Sequence, residues 1–263
     1  MKFNRNDNLR LILRTLLAER DDAAQWPIPS DLREQQLMMR ALLNMRPPMP
    51  VSQRFLAAQD AELQLQQEDK GVVELAGKGL LLWQGDITRL KVDAIVNAAN
   101  SQMLGCFVPL HGCIDNAIHS AAGVQLRLAC NELMRAQGHE EPTGTAAITP
   151  GFNLPARWVL HTVGPIVQGG HALRSQEAEL ASCYRSCLTL ADSRGLHSIA
   201  FCCISTGVFG FPQQRAAEIA VGTVRAVLPA LQHIDTVVLN VFKDDDKAIY
   251  ERLLQPEACD DKK

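Results

Sequence analysis

Short apolar runs that alternate with helical stretches from residue 80 onward are the feature that most constrains the fold of this chain. The runs are Leu80–Trp83, Ala94–Val96, Ala146–Thr149, Trp158–Leu160, Ile199–Ile204 and Thr236–Val241, with helical patterns near 112–136, 175–194, 213–232 and 244–255. Runs that are apolar throughout, instead of alternating with polar residues, are typical of a sheet covered on both faces. The sequence therefore predicts an α/β domain with three layers, a sheet between two layers of helices.

The first part of the chain predicts a helical N-terminal extension. Apolar residues recur at helical spacing over Asn8–Leu17, and Ser30–Glu34 opens a second helix with N-cap chemistry. Prolines at 47, 48 and 50 end that helix, and Ser52 caps a third helix that runs towards Gln67. We expect an extension over 1–75, a main domain over 76–255 and a polar tail over 256–263. The Gln and Met content of the extension indicates no active-site chemistry.

Charge and hydropathy exclude several classes of protein. The net charge of −3 argues against bulk attraction to nucleic acid or to anionic membranes, although a local basic cleft remains compatible with it. No run approaches the roughly 18 apolar residues of a membrane span, and residues 1–7 lack the apolar core of a signal peptide. The spacing of the eight cysteines along the chain is not that of a disulfide framework. The sequence predicts a cytoplasmic protein.

Three soft metal ligands lie within eight residues, at Cys106, His111 and Cys113. Thiolates and imidazole suit zinc, and a site with three protein ligands leaves a fourth position for water or substrate. In an extended segment residues two apart point the same way, so His111 and Cys113 can face one ion. The alternative is two buried thiols beside an unrelated imidazole. The spacing favours neither alternative.

An amide and a carboxylate flank this cluster. Asn100 follows a strand and offers both a donor and an acceptor to hydroxyl groups, although asparagine also satisfies ordinary loops. Asp115 lies near a helix start, where the dipole predicts an ionised carboxylate that can accept a proton from water. A plain helix-start aspartate is the alternative. His119, one turn further, is predicted to be a packed core histidine.

Two further segments have the chemistry of nucleotide binding. Ser205–Pro212 joins a buried strand to a helix, and its two glycines free backbone N–H groups to surround an anion. Gly85–Thr88 follows the first strand of the domain, where Asp86 can accept from an exocyclic amine beside the Ile87 N–H. Both segments also match ordinary connecting turns.

Together these segments resemble the macrodomain family of ADP-ribose binders over roughly residues 79–250. Gly85–Thr88, Val92–Asn100 and Ser205–Phe209 are similar to the adenine, distal-ribose and diphosphate segments of that family. Ile114–Gly123 is similar to the segment that carries the catalytic aspartate of its hydrolases. The resemblance implies a mixed sheet, catalytic roles for Asn100 and Asp115, and an ADP-ribose site formed by Asp86, Ile87, Asn100, Cys113, Ile114, Asp115, Ser205, Thr206, Gly207, Val208 and Phe209.

Gly105–Cys113 stands where those hydrolases have a glycine-rich stretch, and this replacement resembles the zinc-dependent branch of the family. The resemblance implies one zinc ion per subunit on Cys106, His111 and Cys113, and removal of mono-ADP-ribose from acidic side chains of modified proteins. In some microbes this branch accompanies a sirtuin-type ADP-ribosyltransferase and an H-like lipoyl carrier protein. A module that only binds ADP-ribose, or a hydrolase of small esters such as O-acetyl-ADP-ribose, is the alternative.

Overall fold

The computed structural model describes residues 4–255, so the predicted tail at 256–263 lies outside the described residues. Within this range the chain forms a sheet of six strands: β1 (Gly79–Gln84), β2 (Ala94–Ala99), β3 (Ala146–Pro150), β4 (Trp158–Val163), β5 (Ser198–Phe201) and β6 (Thr236–Val241). Their order is β1-β6-β5-β2-β4-β3. Neighbours pair in parallel except β3, which pairs antiparallel with β4 at one edge. The predicted mixed sheet is confirmed.

Helices cover both faces of this sheet. One face packs against α4 (Ile114–Ala122) and α5 (Val124–Gln137), and the other packs against α6 (Arg174–Ser193), α7 (Gln213–Val227) and α8 (Asp244–Leu254). The central strands are buried from both sides, with Ile95, Val96 and Leu160 fully inaccessible to solvent. Burial on both faces explains why the strands are apolar throughout, and the predicted three-layer α/β/α architecture is confirmed.

Three helices precede the sheet, namely α1 (Arg5–Ala18), α2 (Leu32–Met45) and α3 (Gln53–Lys70). The Asp31 carboxylate accepts from the Glu34 N–H at the start of α2, and the Ser52 hydroxyl accepts from the Phe55 N–H at the start of α3. The helices form an apolar cluster of their own, and α2 packs against α4 of the main layers. The extension is thus in direct contact with the segment that follows the predicted metal ligands.

The helical stretch predicted over 112–136 is two helices, separated at Gly123. This residue has φ 91° and ψ 180°, a conformation that is open almost only to glycine. The Gln59 side chain of α3 fills the adjacent space, because its Oε1 accepts from the Val124 N–H at 3.0 Å. The apolar pattern of the sequence continues across the break, because both helices pack against the same face of the sheet. The pattern therefore does not reveal two separate helices.

Two other bounds differ from the sequence prediction. The strand predicted over Ile199–Ile204 ends at Phe201, and the buried residues after it belong to a loop. The helix predicted to reach 232 ends at Val227 and continues as a short 3-10 helix, Leu228–Ala230, because Pro229 lacks the N–H that a longer α-helix needs. Apolar character predicts burial at both places but does not specify the backbone conformation.

Gly123→Ala should destabilise the protein more than Gly138→Ala does. Both glycines have positive φ, but a Cβ at Gly123 would lie 2.6 Å from Gln59 Nε2, whereas a Cβ at Gly138 has open space around it. We expect a loss of about 1 kcal/mol for Gly138→Ala and of roughly 2–4 kcal/mol for Gly123→Ala in urea-induced unfolding. Equal losses would show that the contact with α3 does not constrain the helix junction.

Candidate active site

A large crevice lies at the carboxyl ends of the parallel strands, as expected for an open α/β sheet. Its volume is about 1130 Å³. Each parallel strand contributes the residues that follow it, and the sequence-predicted site residues in the lining are Asp86, Ile87, Asn100, Cys106, His111, Cys113, Ile114, Asp115, Ser205, Thr206, Gly207, Val208 and Phe209. The fold therefore brings together residues that lie up to 123 positions apart, from 86 to 209.

The three predicted metal ligands converge at one end of this crevice. One ligand atom each of Cys106, His111 and Cys113 lies within 4.8 Å of the others, and Cys106 Sγ is 3.7 Å from His111 Nδ1. All three side chains are half-buried. Burial raises the pKa of the Cys113 thiol, and the neighbouring Cys106 raises it further. A cation at this position would offset both effects by stabilising the thiolates.

Asp115 follows this cluster as the second residue of α4, but its environment differs from the one predicted. The side chain is buried, and this desolvation raises the pKa of Asp115 to about 6. The hydrogen bond from Asn97 and the charge of Arg127 lower the pKa only in part. Burial therefore outweighs the helix dipole in setting this pKa, although a value of about 6 still leaves the carboxylate ionised near neutral pH.

A chain of buried polar groups supports Asp115 from within the sheet. Asn97 Nδ2 on β2 lies 2.8 Å from Asp115 Oδ1 and 3.2 Å from His161 Nδ1 on β4. Since the amide donates to both, His161 Nδ1 accepts, and the ring proton on Nε2 faces Thr149 Oγ1 at 2.8 Å. Asn97 and His161 each directly follow an apolar run and continue its strand, and nothing in the sequence marks either as a site residue.

His119 and Cys130 lie beside this chain of polar groups. His119 Nε2 is 3.5 Å from Asp115 Oδ1 and has no hydrogen-bond partner within residues 4–255. Burial holds the pKa of His119 well below its usual value, with His161 lowering it further. Cys130 Sγ lies 3.7 Å from His161 Nε2. The prediction of a packed core histidine at 119 is confirmed.

Asn100 occupies the turn after β2. Its Nδ2 donates to the Gly105 carbonyl at 3.2 Å, and its Oδ1 accepts from the Gln102 N–H at 3.1 Å. The side chain thereby fixes the start of the loop that leads to Cys106. The second hydrogen of the amide is left to donate into the crevice.

The loop after β5 exposes a row of backbone donors. Ser205 has φ 64°, its carbonyl accepts from the Phe211 N–H at 3.0 Å, and the Phe209 carbonyl accepts from the Val167 N–H at 2.7 Å. Between these anchors the N–H groups of Gly207, Val208 and Phe209 bond to no other residue of the described range 4–255. Such a curved run of free N–H groups suits an anion.

The Asp86 carboxylate already has hydrogen-bond partners within the protein, which the sequence does not predict. Its Oδ1 accepts from the Thr88 N–H at 3.0 Å and hydroxyl at 2.6 Å, and its Oδ2 lies 3.2 Å from Lys70 Nζ. Burial works to raise the pKa of Asp86, but the Thr88 bond and the Lys70 charge hold it below its usual value. Ile87 opens a 3-10 helix, so its N–H has no intrahelical acceptor.

The extension, whose composition indicates no active-site chemistry, nevertheless contributes to the lining of the crevice. Helices α2 and α3 form one wall of the crevice with the side chains of Arg33, Gln36, Leu37, Met39, Arg40, Leu43, Leu63, Gln66, Gln67 and Lys70. Arg33, Arg40 and Lys70 thereby add positive charge to the lining of the crevice, although the chain as a whole carries a net charge of −3. Helical patterning alone shows no link between the extension and the site.

Comparisons with known proteins agree with this geometry. The Macro domain family matches residues 96–220. A protein-ADP-ribose hydrolase of Treponema medium is 51% identical over 253 residues, covering 92% of this chain and 96% of that protein. The structure of a Trypanosoma brucei macrodomain in complex with ADP-ribose is 32% identical with a TM-score of 0.58, covering 95% of each chain. An Oceanobacillus iheyensis macrodomain with ADP is 41% identical with a TM-score of 0.60, covering 67% of this chain and 93% of that one.

The fold, the crevice and these matches define a macrodomain protein, and the chain belongs to the macrodomain family. Its similarity to the Treponema medium hydrolase extends over nearly the whole length of both proteins, so it groups with the protein-ADP-ribose hydrolases of that family. Within residues 4–255, no helix combines the length and the apolar character needed to cross a membrane.

The buried histidine of this site makes stability depend on pH. Burial lowers the pKa of His161 from 6.5 to about 4, so the unfolded chain takes up a proton that the folded protein refuses. The contribution of neutral His161 to the free energy of unfolding is complete above about pH 6.5 and is lost as the pH falls towards 4. The expected loss from this residue is roughly 3 kcal/mol. Urea unfolding of the wild type and of His161→Gln, which keeps a donor for Thr149, measures the difference in slope.

The matched control is His171→Gln, since the His171 ring is exposed. We expect the control to keep the wild-type dependence on pH, whereas His161→Gln should weaken it between pH 6.5 and 4 and leave the part that buried His119 contributes. Identical slopes for all three proteins would contradict the assignment of His161 as a buried neutral ring.

Proposed function

We propose that this protein is a zinc-dependent hydrolase that removes mono-ADP-ribose from acidic side chains of modified proteins. The observation that carries the proposal is the convergence of three soft metal ligands and a buried carboxylate at one end of a nucleotide-sized crevice. A module that only binds ADP-ribose has no need of either feature. Near-complete alignment with a protein-ADP-ribose hydrolase supports the hydrolytic reaction class.

The residues present fit a zinc ion. Two thiols and an imidazole match the donor set that zinc prefers, and the 3.7 Å between Cys106 Sγ and His111 Nδ1 allows both atoms to bind one ion. Cys106, His111 and Cys113 would hold the metal. When bound, the ion would supply a Lewis acid beside the distal ribose and leave one coordination position free.

The remaining contacts follow the length of the crevice. The free N–H groups of Gly207, Val208 and Phe209 would hold the diphosphate, and the Ser205 hydroxyl, buried without a partner within residues 4–255, would face the same group. At the far end Asp86 and the Ile87 N–H would meet the adenine. The Asn100 amide would donate to the distal ribose.

Asp115 is the residue we assign as the base. Asn97 engages its Oδ1, and the pKa of about 6 leaves the carboxylate ionised near neutral pH. A carboxylate in a dry environment is a stronger proton acceptor than one in water. It would orient and deprotonate the water that attacks the anomeric carbon, while the released acidic side chain leaves as a carboxylate.

Asp115→Asn should retain ADP-ribose binding and lose turnover. The substitution keeps the size and the acceptor for Asn97 but removes the base, so we expect kcat to fall by about 10²- to 10⁴-fold. Release of ADP-ribose from an Asp/Glu-modified protein measures turnover, and calorimetry with free ADP-ribose measures binding. Wild-type turnover in this variant would show that Asp115 is not the base.

The purified protein should contain one equivalent of zinc, and its removal by a chelator should abolish release from the acidic conjugate. Cys113→Ala should lose the metal, whereas Cys203→Ala, a second cysteine of the crevice lining, should keep it. Metal analysis and the release assay are run in parallel. Equal rates with and without metal would show that turnover does not depend on zinc. Faster turnover of a free ADP-ribose ester than of the conjugate would favour the ester as substrate.

A further inference from the structure

The segment that carries the three metal ligands has little hydrogen bonding of its own. Within the described residues, positions 106–113 form no helix or strand, and the one backbone hydrogen bond inside the segment joins the His111 N–H to the Val108 carbonyl at 3.3 Å. Leu110, directly before His111, has φ 55°, a strained conformation for a leucine. Such a conformation persists only where the surrounding structure fixes it.

Asn44 of α2 fixes the peptide group that joins Pro109 to Leu110, one residue before the peptide group of the His111 N–H. Its Oδ1 accepts from the Leu110 N–H at 3.0 Å, and its Nδ2 donates to Ser120 Oγ on α4 at 3.0 Å. The Asn44 side chain is buried, so these two bonds satisfy groups that cannot reach bulk water. The strained residue is thereby tied to two helices at once.

Arg40, one turn earlier on α2, fixes the peptide group just after His111. Its Nη2 donates to the His111 carbonyl at 3.1 Å and to Asn116 Oδ1 at 2.8 Å, and its Nε also reaches that oxygen at 3.2 Å. Asn116 in turn donates from Nδ2 to the Val108 carbonyl at 3.0 Å. Side chains from the same face of α2 therefore hold the backbone on both sides of His111, at the Leu110 N–H and at the His111 carbonyl.

The Cys106 end of the segment is connected to the same helix through Arg127 of α5. This buried guanidinium donates to the Leu104 carbonyl at 2.6 Å and to the carbonyls of Leu43 and Asn44 at 2.9 and 3.0 Å. It also lies 4.4 Å from the centre of the Phe107 ring. Arg127 thus links the last turn of α2 to the start of the ligand segment, in addition to the bonds that α2 makes beside His111.

We propose that α2 of the helical extension holds the metal-ligand segment in its binding shape, with Asn44 and Arg40 as positioning residues for His111. The inference rests on the proposed zinc site. The extension then helps to shape the metal centre, although none of its residues is a metal ligand. Substitutions in α2 should change the affinity and the geometry of the metal site without removing a ligand.

The test uses the full chain with Asn44→Ala, Arg40→Met and the matched control Gln35→Ala. Gln35 is a buried amide on the same helix, but it donates to the Pro29 carbonyl at 2.7 Å and bonds to no residue of the ligand segment. Zinc affinity is measured by competition with a chromogenic chelator, and the visible spectrum of the cobalt-substituted protein reports the coordination geometry. Circular dichroism and melting curves show that each variant is folded.

We expect zinc affinity to fall about 10- to 100-fold in Asn44→Ala and in Arg40→Met, with altered cobalt bands, and to stay within about twofold in Gln35→Ala. Wild-type affinity and spectra in both α2 variants would overturn the proposal. Alkylation rates of Cys106 and Cys113 in metal-free protein, followed by mass spectrometry, give a second readout. Faster alkylation in the two variants than in wild type and control is expected.

The two readouts separate this inference from the proposed function. A wild-type protein that binds no zinc would end the zinc assignment alone. The role of α2 would then be decided by the alkylation rates, since faster modification in Asn44→Ala and Arg40→Met would support it. Equal rates in all four proteins would overturn it.

Discussion

The parallel pairing of neighbouring strands is the constraint on which the rest of this structure depends. Parallel strands need crossover connections, so helices cover both faces of the sheet and the carboxyl ends of these strands lie along one edge. Loops that follow Gln84, Ala99, Val163, Phe201 and Val241 meet there, although they are far apart in the sequence. The connection after β2, near the middle of the sheet, supplies both the soft ligands and Asp115. The crevice is thus a consequence of topology, and its chemistry is a consequence of which residues follow each strand.

The burial that stabilises this sheet also determines the state of its polar groups. Asp115 loses the solvation of its charge, and one bond from Asn97 returns only part of it, so its pKa stays raised. His161 remains neutral because burial lowers its pKa, and a neutral ring can accept at Nδ1. If the ring were protonated, it would donate at Nδ1 and repel the Asn97 amide protons. A dry environment therefore keeps both the carboxylate reactive and its support correctly oriented.

The sequence predicts the parts of this protein whose signal is local. Apolar runs predict the buried strands and Ser52 predicts a helix start, whereas the proximity of Cys106, His111 and Cys113 is implied by the family resemblance and not by their spacing alone. Features that depend on distant contacts escape such reasoning. Asn97 and His161 lie 64 positions apart in two strands, and only the pairing of β2 with β4 makes them neighbours. The raised pKa of Asp115 is also hidden from the sequence, because a helix start is a local property, whereas desolvation depends on everything packed around the carboxylate.

The contact between the extension and the sheet domain is reciprocal in energetic terms. The last carbonyls of a helix have no intrahelical partner, and those of Leu43 and Asn44 accept from the Arg127 guanidinium. Arg127, for its part, is buried, and an unpaired buried charge is strongly unfavourable. The carbonyls at the end of α2 therefore provide acceptors for the buried Arg127 guanidinium of the sheet domain, and the guanidinium provides donors for those carbonyls. The same guanidinium donates to the Leu104 carbonyl, just before the ligand segment. Removing either partner leaves the other with unsatisfied polar groups, so the extension and the macrodomain are one structural unit at this site.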